Sequence, residues 1–151
     1  MLRMPRTVAD RMRLHAEVSY PRECCGVLLG IPREDGWAVR AAVRTGNADR
    51  ATPCSRYRIA PEELIAIERE ARRRGLQVAG FYHSHPDGPA ECSRTDLAEA
   101  HWTGCSYVIT AVHGGCAGQS RSFRLLGGSG VEKSFDEEPI HPDAEPNESK
   151  E

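Results

Sequence analysis

Val78-Ala79-Gly80-Phe81-Tyr82-His83-Ser84-His85-Pro86, followed by Ser93-Arg94-Thr95-Asp96, is the stretch on which the reading of this chain turns. Two imidazoles two residues apart point the same way only from extended backbone, where successive side chains alternate faces. A strand over residues 78–85 is therefore expected, with both histidines on one face. Ser93 then reads as the N-cap of a helix over about 93–101, with Asp96 at the third helical position, near the positive end of the dipole. Two histidines and one carboxylate leave the fourth position of a tetrahedral zinc ion open for water, which is the catalytic arrangement rather than the closed structural one. Taken singly, each piece has a plainer reading. His-x-His is common, and Ser93-x-x-Asp96 alone is a helix start. The cap and ligand readings of Asp96 are compatible, because a cap fixes where that carboxylate points.

Upstream, Pro21-Arg22-Glu23-Cys24-Cys25-Gly26 precedes the apolar run Val27-Leu28-Leu29, which reads as a buried strand ending at Gly30. Glu23 stands where that strand begins. A carboxylate there is costly unless it has a partner or a task; the plain alternative is an exposed strand-end glutamate.

Outward from these pieces, residues 5–19 show helical spacing through Val8 and Met12, and Pro21 ends that helix. A turn over 32–36 leads to a weakly alternating strand over 37–43. Residues 47–55 form a polar loop, and Tyr57-Arg58-Ile59 a short strand. Pro61 opens a helix that runs to residue 74 and stops before Gly75. Leu64, Ile65 and Ile67 give it an apolar face, and Arg72-Arg73-Arg74 suit its negative end. Strands over 107–112 and 122–126 follow. Strands alternating with helices make an α/β layered fold.

At 151 residues this is one domain. A composition of 39% hydrophobic and 28% charged residues suits a modest core. No apolar stretch approaches the roughly 18 residues that span a membrane, and no secretion signal follows Met1. The expected location is the cytoplasm, with Cys24, Cys25, Cys54, Cys92, Cys105 and Cys116 as free thiols. Cys92, beside Ser93, reads as a loop filler before a stray ligand. From Val131 onward eight acidic side chains face two lysines, a net charge of −6, while the rest of the chain is about +4. With Pro139, Pro142 and Pro146 and few apolar residues, 131–151 is expected to be an acidic, disordered tail on a domain of residues 1–130. Gly127-Gly128 reads as a linker. Nucleic acid is set aside as a partner because no aromatic platform accompanies the arginines.

Together, Glu23, His83-Ser84-His85-Pro86, Ser93 and Asp96 resemble the JAMM (MPN+) zinc metallopeptidases, whose pattern is Glu, then His-Ser/Thr-His-Pro, six residues, Ser, two residues, Asp. Every position is filled, over roughly residues 5–126. The chain looks most like the short prokaryotic branch, including the peptidase acting on a cysteine-carrying sulfur-carrier protein. The resemblance implies a single-domain MPN fold, a cytidine-deaminase-like mixed β-sheet flanked by helices. It implies one Zn2+ per chain on His83, His85 and Asp96, with Glu23 as general base and Ser93 as oxyanion donor. Ser84 would orient the loop. The implied partner is a ubiquitin-like or sulfur-carrier protein ending in Gly-Gly, with Tyr57, Arg58 and Ile59 as the candidate edge of the groove that receives its tail. Whether the leaving group is a cysteine, a lysine side chain or a C-terminal extension stays open. A non-catalytic MPN scaffold that binds a protein partner is the alternative; such scaffolds typically lose ligands. A deaminase of the related fold would need a Glu two residues after its His and a Pro-Cys-x-x-Cys pair, and neither is present.

Overall fold

A computed structural model describes residues 1–145. Its eleven elements are β1 (Leu2–Pro5), α1 (Arg6–Ser19), β2 (Cys25–Arg33), β3 (Gly36–Thr45), α2 (Pro61–Arg73), β4 (Gln77–Pro86), α3 (Arg94–Glu99), β5 (Ser106–His113), β6 (Cys116–Gly128), β7 (Val131–Glu138) and β8 (Ile140–Asp143). All eight strands join one sheet, in the order β7-β6-β5-β4-β2-β3-β1-β8. β4 runs parallel to β5, and β1 runs parallel to both β3 and β8; the other pairings are antiparallel. The result is the mixed α/β sheet flanked by helices that the motif implied.

The core lies on both sheet faces. Val27, Leu28 and Leu29 of β2 are fully buried, as a strand covered on both sides must be. One face packs under α1, where Val8, Met12, His15 and Ala16 recur at helical spacing. The other packs under α2 through Ile67 and Ala71, with Leu64 alongside. Ile65, expected on that apolar face, is 52% exposed, because it lies round the helix from Leu64, Ile67 and Ala71. Pro61, Glu62 and Glu63 open α2 and Arg72 and Arg73 close it, in keeping with the helix dipole.

Two close approaches set the centre of the sheet. A Cβ on Gly80 of β4 would stand 1.7 Å from the Ser106 carbonyl oxygen of β5, so glycine lets the parallel pair close. A Cβ on Gly26 would meet the Tyr82 ring at 2.3 Å; its absence lets that ring cross β2 and reach His15, whose Nδ1 lies 2.8 Å from the Tyr82 hydroxyl. Burial lowers the His15 pKa to about 4, with Arg44 adding to the effect. Below the unfolded-chain pKa of about 6.5 the unfolded state takes up a proton that the folded state refuses. His15 is therefore expected to cost up to about 3 kcal/mol of stability as pH falls from about 6.5 to about 4, and nothing above that window. Urea unfolding at pH 7.5 and 4.5 checks this: wild type should lose more stability between the two than His15→Gln. Equal losses would contradict it.

Three expectations change here. Residues 131–143 are not a disordered tail: β7 pairs with β6 and β8 with β1. β7 turns one side to solvent, and a charged edge strand has the composition of a solvated tail. Its last residue, Glu138, is buried, accepts from the Ser106 hydroxyl at 3.1 Å and pairs with Arg124 at 3.4 Å. The expected disorder of 146–151 lies outside the described residues. Gly127-Gly128 is not a linker but the end of β6, where Gly128 pairs with Val131 of β7; Gly127, Gly128 and, in the turn, Gly130 have φ near +90°. Finally, Tyr57-Arg58-Ile59 is not a strand; it runs between β3 and α2 without joining the sheet. β1 went unread because four residues carry too little pattern, and its partners, β3 and β8, are distant in sequence.

Candidate metal centre

β4 sits in the middle of the sheet, and its C-terminal end carries the histidines. Alternation along the strand puts Phe81, His83 and His85 on one face and Tyr82 and Ser84 on the other. Ser84 is fully buried: its hydroxyl accepts from the Cys24 N–H at 2.8 Å, and its own N–H donates to the Cys24 carbonyl at 3.2 Å. It thus ties β4 to the residue beside Glu23 and points away from the ligand face.

Ser93 caps α3 as its pattern predicted. Its hydroxyl oxygen accepts from the Asp96 N–H at 3.0 Å, and the Asp96 carboxylate accepts from the Ser93 N–H at 2.9 Å. The same carboxylate reaches across to β4, with Oδ1 3.2 Å from His83 Nε2 and Oδ2 3.2 Å from His85 Nε2. The two Nε2 atoms are 3.1 Å apart. So Asp96 is both cap and convergent carboxylate.

These donor atoms have the spacing of a coordination shell. Ligands about 2.0–2.1 Å from a tetrahedral zinc stand roughly 3.3 Å from one another. His85 Nδ1 lies 2.8 Å from the Pro89 carbonyl oxygen, which can only accept, so the proton sits on Nδ1 and the Nε2 lone pair faces inward. Complete burial keeps the His83 pKa low and the ring neutral. Burial opposes ionisation of Asp96, but the facing His83 and His85 rings and the Ser93 N–H outweigh it and hold the carboxyl well below the usual range. Electron-pair donors thus converge on one point, and a dication fits it.

Glu23 completes the cluster. Its carboxylate and the imidazole nitrogens of His83 and His85 all lie within 4.8 Å of one another. The residue is 4% exposed, and burial raises its pKa to about 7, partly offset by His85. The backbone places it: the Glu23 N–H donates to the Pro53 carbonyl at 2.8 Å, and its carbonyl accepts from Asn47 Nδ2 at 3.2 Å. Asn47 also donates to the Arg56 carbonyl and accepts from the N–H groups of Asp49 and Arg58. It shapes the whole loop over the site, a role that an asparagine in a polar stretch does not announce.

Tyr57 has a second role that the sequence did not show. Its ring stacks on His83, with centroids 4.4 Å apart, and walls one side of the centre. Cys92 is half-buried, and burial pushes its thiol up to about 12, away from the thiolate a metal would need. His101 is exposed, and Lys133 meets the carbonyls at the end of α3.

The family of prokaryotic homologs of the JAB domain matches residues 5–126. A desampylase of Haloferax volcanii is 38% identical over 108 residues, covering 72% of this chain and 76% of that one. A probable TtuB-protein conjugate cleaving protease of Thermus thermophilus is 32% identical over 76% of this chain and 72% of its own. The CysO-cysteine peptidase of Mycobacterium tuberculosis is 28% identical over 83% and 84%. The solution structure of a Desulfitobacterium hafniense protein superposes with a TM-score of 0.81 at 27% identity, over 96% of this chain and 94% of that one. Motif, matched span and superposition agree, and the chain belongs to the prokaryotic JAB-domain family.

Proposed function

We propose that the protein is a zinc-dependent hydrolase that cleaves the amide after the C-terminal Gly-Gly of a ubiquitin-like or sulfur-carrier protein. The observation that carries this reading is the convergence of His83, His85 and Asp96, at 3.1–3.2 Å, beside the buried carboxylate of Glu23. His83, His85 and Asp96 would hold one zinc ion. When bound, zinc supplies Lewis acidity and makes hydroxide available near neutral pH.

The chain's own groups do the rest. Glu23 takes a proton from the attacking water as the new C–O bond forms at the terminal glycine carbonyl. Its raised pKa suits a group that must accept a proton and then release it. The Ser93 oxygen accepts from the Asp96 N–H, which leaves the Ser93 O–H free to donate to the developing oxyanion. When the C–N bond breaks, Glu23 passes its proton to the leaving amine. Ser84 and Asn47 hold Glu23 and β4 in register.

Tyr57, Arg58 and Ile59, though not a strand, stay the proposed edge of the groove. These residues line a cavity of about 190 Å³ together with Phe81, Trp102 and Tyr107. Asn47 and Ala48 occupy the N–H and carbonyl of Arg58, while the backbone groups of Tyr57 and Ile59 have no such bond among the described residues. They are free to pair with an extended tail, and only glycines pass a narrow groove beside an aromatic wall. The relatives named for cleaving a TtuB-protein conjugate and for acting on CysO-cysteine point the same way. A scaffold reading is disfavoured because every ligand position is filled. A reducing cytoplasm suits the free thiols, among which burial pushes those of Cys24 and Cys25 up.

A panel of carrier proteins extended past Gly-Gly by cysteine, by a short peptide or by a lysine-linked conjugate tests the reading. Product masses ending at Gly-Gly are expected for at least one class. Cutting at any other bond would overturn the specificity.

A further inference from the structure

We propose that Lys133, beyond the 5–126 span that the family covers, is a positioning residue for the metal centre; the inference rests on the metal-binding reading above. Lys133 Nζ donates to the carbonyl oxygens of Leu97, Ala98 and Ala100, at 3.0, 3.2 and 2.9 Å. An ammonium has three donors, and all three are spent on the C-terminal carbonyls of α3. The last carbonyls of a helix lack partners within it; of these three, among the described residues, only that of Leu97 also accepts from the Ala100 N–H, at 3.3 Å, and α3 is only six residues long. Such a helix is unstable alone. Yet Asp96 sits in its first turn, and the placement of that carboxylate against β4 depends on the helix staying formed.

The sequence leading to this contact is specific. The positive-φ glycines at the end of β6 and in the turn to β7 fold the chain back, and the Thr103 hydroxyl fixes the end of β6 by donating to the Gly127 carbonyl at 3.0 Å. Alternation along β7 then puts Lys133 and Phe135 on the α3 side. Phe135 packs on Tyr107, in the core cluster against which Leu97 of α3 also packs, so one residue of the pair anchors the strand and the other caps the helix. The segment read from composition as a solvated tail thus holds the helix that carries the acidic ligand.

Zinc affinity, measured on the full chain by competition with a chromophoric chelator, tests the proposal. Lys133→Met, which keeps the aliphatic stem and loses the donors, is expected to weaken zinc binding tenfold or more. Lys133→Arg, which restores charge and donors, should recover to within about threefold of wild type. Turnover of Lys133→Met at saturating zinc should stay near wild type, because bound metal re-imposes the geometry. Phe135→Leu is the control for a merely structural loss. If Lys133→Met binds zinc as tightly as wild type, or if Phe135→Leu loosens zinc as much at the same apo-protein stability, the proposal falls. Failure of wild type itself to bind zinc would instead sink the metal reading on which it stands.

Discussion

Glu23→Gln is expected to cut turnover by about 10²-fold or more while zinc and fold remain, the usual range for loss of a general base. The amide has nearly the shape of the carboxylate, and what holds Glu23 is largely backbone: Pro53 on its N–H and Asn47 on its carbonyl. Among the described residues no side chain donates to its carboxylate, so the substitution orphans no partner. Removing a buried charge relieves a desolvation cost, and the variant should melt no lower than wild type. Comparing kcat, zinc content and melting temperature for the two proteins checks this. Turnover near wild type would remove Glu23 from the mechanism; lost zinc would recast it as a ligand.

His85→Ala produces the second large effect, and it is of a different kind. This variant should lose stoichiometric zinc and with it all measurable cleavage. His85 Nε2 is one of three donors in the cluster, and Pro89 fixes its ring from behind. A ligand that binds only the folded state stabilises it by about 2.7 kcal/mol at a hundredfold excess over Kd. Added zinc should therefore raise the melting temperature of wild type and leave His85→Ala unmoved. Asp96→Asn should behave similarly, with an added loss at the α3 cap, since the carboxylate also accepts from the Ser93 N–H. A full equivalent of zinc on His85→Ala would refute the ligand assignment.

The centre of the fold was legible because its signals are local. Alternation at His83 and His85, the cap at Ser93 and the apolar run at Val27 each constrain a few neighbouring residues, and the elements they predicted are the ones that build the site. The edges were not legible, because what makes them strands is remote. β8 pairs with β1, across more than a hundred residues. β7 carries the charge of a solvated tail, and its folded state depends on Phe135 meeting Tyr107 and Lys133 meeting α3. Tyr57 failed in another way. Its aromatic and β-branched neighbours look like a strand, but Asn47 occupies the Arg58 N–H and the ring is drawn onto His83. Side-chain capture of backbone overrode propensity there.

The measurement that bears most directly on the account is zinc per chain, taken with Gly-Gly cleavage on the same folded sample, before and after chelation and after zinc is restored. One zinc per chain, with cleavage that chelation abolishes and zinc restores, is the predicted result. Folded protein that binds no zinc, or that cuts equally well without it, would contradict the claim that His83, His85 and Asp96 form a catalytic metal centre.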